Sequence, residues 1–176
     1  VKKQRPATIT VGHDLLRAVP YLVARAGSRM GNAFSKALKP YGLSLTEWRV
    51  CASLGNVPHQ RLSELAPQAC VDMSVLSRIV DRLTAQGLVS RERSCNDGRA
   101  VQLALTEKGA ELTREIVPLA QHYEAVALNC FSAAEAELLR EWLIRLYDNA
   151  EPLDDLHVDA ESTPPGQPVA VPARGD

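Results

Sequence analysis

Serine and arginine recur through the middle of this chain at spacings suited to a polyanion. Ser74, Ser77 and Arg78 fall close together after Met73, and Arg82 follows one helical turn later. Serine lets a helix approach phosphates and base edges closely, and an arginine guanidinium can take guanine bidentately or hold a phosphate. Arg91, Arg93 and Arg99 flank a second feature, the turn-forming run Ser94-Cys95-Asn96-Asp97-Gly98. A thin loop bearing arginine suits the minor groove of a duplex, where negative potential is focused. Taken singly, each arginine is equally well an ordinary solvated charge. Their gathering on one unit points to nucleic acid.

A second group has different chemistry. Trp48 and Arg49 are adjacent, a stacking surface beside a carboxylate partner, with His13, Arg17 and Tyr21 upstream as further candidates. Core packing for Trp48 and Tyr21, and surface charge for the others, is the competing reading. The four cysteines, Cys51, Cys70, Cys95 and Cys130, are 19, 25 and 35 residues apart and form no CxxC. Reduced thiols are expected, with Cys51 and Cys130 packed in the core. Cys95 beside Arg93 could have a lowered thiol pKa, which leaves a redox-sensing role open. The histidines form no HxxxH or HExxH, so a zinc site would have to be assembled from distant residues. No nucleophile–base pairing, phosphate-cradling glycine loop or paired catalytic carboxylates stand out. The expectation is a protein that is not an enzyme and needs no cofactor.

The chain has 176 residues, 45% of them hydrophobic, enough for one domain with a real core. Its formal charge of −1 argues against a nucleic-acid binder, but the charge is segregated. Residues 1–150 carry 19 basic and 15 acidic side chains, a net of +4, whereas 151–176 carry six acids and only Arg174. No apolar run is long enough for a membrane span and no secretion signal is visible, so a cytoplasmic location without membrane contact is expected.

The elements that must position these groups follow from periodicity. Residues 1–12 read as a flexible arm. Residues 13–38 read as a helix on the stripe Leu15, Val19, Leu22, Ala26, Met30, Ala33, Ala37, widened by Phe34 and Leu38, with a kink or a restart at Pro20. Ser44 and Glu47 make a capping box that starts a second helix, with Trp48, Cys51, Ala52 and Leu54 apolar. A short helix over about 61–69 contains Pro67. A fourth runs from about Met73 to Gln86, with Val75, Leu76, Ile79, Val80 and Leu83 toward the core and Gly87 as its C-cap. The period then becomes two over 88–93 and 99–105, a β-hairpin, and Thr106 caps the next helix. Leu112, Ile116, Leu119, Tyr123, Val126 and Cys130 step by four and three, with a bend expected at Pro118. A second capping box, Ser132 and Glu135, opens a last helix through Leu138, Leu139, Trp142, Leu143, Leu146 and Tyr147. Residues 151–176 hold five of the eleven prolines and read as a disordered acidic tail.

Helix, short helix, turn, helix and hairpin over 44–106 make a winged helix-turn-helix, whose second short helix enters the major groove. Three segments, LSELA (62–66), VDMSVLSRIVDRLTAQGLV (71–89) and RERSCNDGRAVQLALTEKG (91–109), resemble the MarR family of bacterial transcriptional regulators. The most specific part is DGR at 97–99 followed by LTEKG at 105–109. The resemblance extends by pattern and order over 13–149, and Pro67 departs from it. It implies a mainly α fold with a small β-hairpin wing, flanked by N-terminal (13–43) and C-terminal (107–150) dimerisation helices. It implies a homodimer on a pseudo-palindromic double-stranded DNA operator, with Arg99 as the wing arginine, Asp97 shaping the wing and Asp72 able to orient Arg99. It also implies a repressor released by a small-molecule effector, such as an aromatic acid held near Trp48 and Arg49. The alternatives left open are a winged-helix protein-interaction module without DNA binding, and a cysteine-based redox-sensing regulator.

Overall fold

A computed structural model describes residues 14–93, 101–151 and 153 of the chain. Among these residues are six α-helices and one two-stranded antiparallel sheet, the mainly α architecture expected. The order is α1 (Val19–Ala37), α2 (Leu45–Asn56), α3 (Leu62–Ala69), α4 (Met73–Ala85), β1 (Val89–Arg93), β2 (Val101–Leu105), α5 (Glu107–Ala127) and α6 (Ala133–Ala150). The chain divides after Asn129 into two compact units, the second of which contains α6. The proposed arm at 1–12, the turn 94–98 with Asp97 and Cys95, Arg99, His13 and nearly all of the proposed tail lie outside the described residues.

Local chemistry sets the helix ends. Pro20 sits in the first turn of α1, where its missing N–H costs nothing, so it starts this helix rather than kinking it. A short 3₁₀ turn, Leu15–Arg17, precedes it, capped by Asp14 on the Leu16 N–H at 3.1 Å. Both capping boxes form: the Ser44 N–H donates to Glu47 at 2.7 Å, and the Ser132 N–H to Glu135 at 2.8 Å. The backbone bond to Ser132 and its hydroxyl hold the Glu135 carboxyl below its usual range. Gly87, at φ +71°, ends α4 in a Schellman turn. Its N–H bonds the Thr84 carbonyl, and the Leu88 N–H bonds that of Leu83, both at 2.9 Å. Pro67 and Pro118 lie inside α3 and α5, which continue through them.

The core of the first unit draws on every one of its helices. Leu38 follows α1, Leu54 comes from α2, Leu65 from α3, Leu76 and Leu83 from α4, and Ile116 from α5, all fully buried. The wing is tied to this core at its base. Its register runs from Val89 opposite Leu105 to Arg93 opposite Val101. Gln60 adds a third bridging residue by exchanging backbone bonds with Leu103 at 2.8 and 3.2 Å. The buried Gln60 side chain donates to the Ser53 and Val57 carbonyls and accepts from Gln68, joining the end of α2 to α3 and the wing.

The LTEKG segment acquires a physical meaning at the junction of wing and α5. The Thr106 hydroxyl accepts from the Gly109 N–H at 3.0 Å and donates to the Gly87 carbonyl at 2.6 Å. Lys108 Nζ donates to the Gln86 carbonyl at the C-terminal end of α4. Gly109 lies so close to the backbone of Leu88 that a Cβ there would overlap its carbonyl oxygen.

Five side chains depart from expectation. Val75, expected in the core, is 44% exposed, because α4 buries only the face centred on Leu76, Val80 and Leu83. Cys130 is exposed rather than packed, whereas Cys51 is buried as expected. The α1 stripe is divided: Phe34 and Leu38 are buried, but Val19, Leu22 and Met30 face outward. In the second unit, α6 leaves Trp142, Leu143, Leu146 and Tyr147 exposed along its apolar stripe.

Candidate nucleic-acid interface and cleft

Helix α4 follows α3 through a turn in which Cys70 takes the left-handed conformation at φ +56°. Asp72 occupies the N-cap position of α4, but its side chain accepts no capping bond. Ser74, Arg78 and Arg82 lie on exposed positions of α4, with Met73 and Val75 beside them, and Ser77 is half-buried at its edge. Ser77 lines one groove of about 440 Å³ with Arg91, Glu92 and Arg93 of β1. Helix α4 and strand β1 therefore present a continuous face carrying serine and arginine. Arg99, the expected partner of Asp72, and Asp97 lie outside the described residues.

The arginines on this face have different partners. Arg91 Nη2 reaches Asp81 of α4 at 2.6 Å, an exposed pair linking wing and helix. Arg82 turns toward the N-terminus of α2, where Nε and Nη2 both donate to Glu47 Oε1 at 2.5 Å. The Glu47 side chain is completely buried. Burial pushes its carboxyl pKa up, but the Arg82 guanidinium and the bonds to Ser44 outweigh this and hold it below the ordinary value of 4.5. The S-x-x-E signature accounts for the cap and gives no sign of the pair with Arg82. Nor does the sequence mark Asp81, or Glu92, which lies 3.3 Å from His59 Nδ1. These links join positions far apart in the chain.

A second concavity of about 650 Å³ opens between α1, α2 and α5. Its floor is aromatic. Phe34 packs edge-on against Trp48 with centroids 5.9 Å apart, and against Tyr123 at 5.4 Å. Arg29, Arg49 and Glu124 supply the charged lining. Arg49 Nη1 also reaches the Ala69 carbonyl at the end of α3, at 3.5 Å. Of the residues nominated for a ligand, Trp48 and Arg49 line this cleft, whereas Arg17 and Tyr21 do not; His13 is outside the described residues. Sequence periodicity missed Arg29, Phe34 and Tyr123, because a stripe that builds a core and one that floors a cleft read alike. The volume is in the range that small organic ligands occupy.

Comparison with known proteins agrees with this architecture. Residues 43–101 match the model of the MarR family. The chain is 26% identical over 133 residues to the HTH-type transcriptional repressor IacR of Pseudomonas putida, covering 76% of this chain and 80% of that one. A MarR family transcriptional regulator from Silicibacter pomeroyi superposes with a TM-score of 0.72 at 27% identity, over 77% of this chain and 91% of its own. BpsR of Bordetella bronchiseptica, whose DNA binding is regulated by 6-hydroxynicotinic acid, shares the fold with a TM-score of 0.69 at 22% identity, over 77% and 97% of the two chains. Among the described residues no helix is long and apolar enough to cross a membrane. The matched stretch spans the helix-turn-helix and enters the wing, and the exposed residues of α4 and β1 lie inside it, so over this stretch the chain is similar to the MarR family of transcriptional regulators.

Proposed function

We propose that this protein is a repressor that binds a pseudo-palindromic DNA operator as a homodimer and releases it when a small aromatic acid enters the cleft. The observation that carries the DNA reading is the shared groove of Ser77, Arg91 and Arg93, which makes helix α4 and the wing one contact surface. Ser74 and Arg78 meet base edges and phosphates from α4, and the exposed Val75 adds an apolar surface suited to a thymine methyl. Arg91 and Arg93 lie along β1 of the wing, and Arg99, by resemblance, enters the minor groove with Asp97 and Asp72 shaping its approach. In a dimer the two α4 helices must sit about one duplex turn apart, roughly 34 Å.

The exposed apolar residues of α6, and separately those of α1, support dimerisation, since a chain leaving Trp142, Leu143 and Tyr147 in water gains by burying them. The aromatic cleft supports an aromatic effector, with Arg49 as the partner for its carboxylate. BpsR, alike in fold, responds to such an acid. Release then follows population shift: the effector favours a spacing of the two α4 helices that no longer matches successive major grooves.

Selection of duplexes from a random pool, followed by a salt titration, tests the reading. Phosphate neutralisation requires a steep negative dependence of affinity on salt. Arg78→Ala and Arg99→Ala should each reduce that slope by about one unit with the fold retained. Salt-independent binding, or none, would favour a protein-interaction module instead. For the cleft, 6-hydroxynicotinate serves as the probe and Trp48 fluorescence as the readout in a Trp142→Phe background.

A further inference from the structure

We propose that Arg82 serves DNA recognition through Glu47, as a positioning pair that sets the seat of helix α4 against α2, and that it is not itself a phosphate ligand. The inference rests on the DNA-binding reading above. It assigns one arginine of the recognition face a different task from its neighbour Arg78.

The geometry is specific. Glu47 is a completely buried side chain whose two oxygens divide between two elements. Oε2 accepts the Ser44 N–H at 2.7 Å and closes the first turn of α2. Oε1 takes both Nε and Nη2 of Arg82, 35 residues away in sequence. A buried carboxylate is costly unless its oxygens are bonded. The pair therefore holds α4 where Arg82 can reach it, and a shifted α4 would leave the charge unpaired.

The same pairing removes Arg82 from the electrostatics of the DNA face. A duplex approaching α4 meets a guanidinium already neutralised by a carboxylate 2.5 Å away. Such a group releases few phosphate counterions, whereas a phosphate ligand contributes about one unit to the salt slope. Arg78, exposed one turn earlier on the same helix, is the internal comparison.

Two physical readings thus predict opposite signs for one substitution. Glu47→Gln keeps an oxygen for the Ser44 N–H, deletes a negative charge behind the recognition helix and frees Arg82. If Arg82 were a phosphate ligand restrained by Glu47, this variant would bind DNA more tightly, with a steeper salt slope. If the pair positions α4, the variant binds its selected duplex more weakly, by about tenfold, the worth of one base-pair contact.

The experiment measures the affinity of the full chain for a selected duplex and for a scrambled one across a salt series. The proteins are wild type, Arg82→Met, Glu47→Gln, the double variant and Arg78→Met, with circular dichroism reporting the folded fraction. Arg82→Met and Glu47→Gln should each lower the ratio of selected to scrambled affinity by about tenfold. Arg82→Met should leave the salt slope of scrambled binding near wild type, and the double variant should be no worse than the weaker single one. Arg78→Met should lower that slope by about one unit. A simple loss of fold would reduce both affinities together and would leave their ratio unchanged. Arg82→Met lowering the slope as Arg78→Met does, Glu47→Gln binding more tightly, or an unchanged affinity ratio overturns the positioning role while the DNA reading stands. Failure of wild type to bind any duplex with salt dependence overturns both.

Discussion

Alanine at Gly109 tests the account of how the wing meets helix α5. A Cβ at this position would overlap the Leu88 carbonyl oxygen, a backbone atom that cannot swing aside. Alanine is worth at most about 1 kcal/mol over glycine within a helix. Overpacking costs about 1–3 kcal/mol, and a backbone obstacle places this site at the upper end. Moving α5 away would also strain the Thr106 bonds to Leu88 and Gly87, each worth about 1 kcal/mol. A net destabilisation of about 3 kcal/mol follows from these terms. Gly27 is the control, because a Cβ there meets nothing within 4 Å, so Gly27→Ala should stabilise by up to about 1 kcal/mol. Urea unfolding followed by Trp48 fluorescence in a Trp142→Phe background reports on the unit holding both glycines. Protein concentration is held fixed, since association would shift the midpoint. Midpoints that move the same way in both variants, or Gly109→Ala unfolding with wild type, would refute the reasoning.

Three further outcomes are expected. The Glu47 carboxyl has a folded-state pKa below its ordinary 4.5, so its stabilisation is complete above that pH and is lost as pH falls through the folded value. Wild type should therefore lose its stability advantage over Glu47→Gln on acidification, and a difference independent of pH would show that the charge on Glu47 is not what stabilises. Burial, with the negative charge of Glu47 second, pushes the Cys51 thiol up to about 12. Under native conditions at neutral pH a thiol reagent followed by peptide mapping should mark the exposed Cys70 and leave Cys51 until the protein unfolds; early labelling of Cys51 would contradict its place in the core. Removing the tail, residues 151–176, should leave the proposed dimer intact by light scattering, whereas Trp142→Arg with Leu143→Arg should yield monomers. Monomers after the truncation would place the removed segment in the interface.

Much of this molecule was legible from local rules. Capping boxes at Ser44 and Ser132, Thr106 before α5 and Gly87 after α4 mark helix ends through bonds that close within a few residues, and they form as expected. The change of period after Gly87 marks the wing for the same reason, because alternation is a property of a single strand. Pro20 was ambiguous, since a proline that starts a helix and one that kinks it look alike until the preceding turn is known. The packing decided the rest. Val75 and Ile79 lie on one flank of α4, and only the placement of α2 and α3 leaves the first exposed and the second packed. Periodicity gives the face of a helix, but not how far its neighbours cover that face.

What the sequence alone determined was the order of elements and the run of serines and arginines proposed to meet DNA, because both arise from residues near one another in the chain. What the tertiary structure decided was which arginine pairs with which carboxylate. Arg78 and Arg82 are one turn apart and equivalent as letters, yet folding brings Glu47 to Arg82 and joins α2 to α4 through a buried charge. The floor of the cleft was decided in the same way, when α1, α2 and α5 brought Phe34, Trp48 and Tyr123 together. Such contacts close loops of tens of residues, and a property of two distant positions leaves no periodic mark on either.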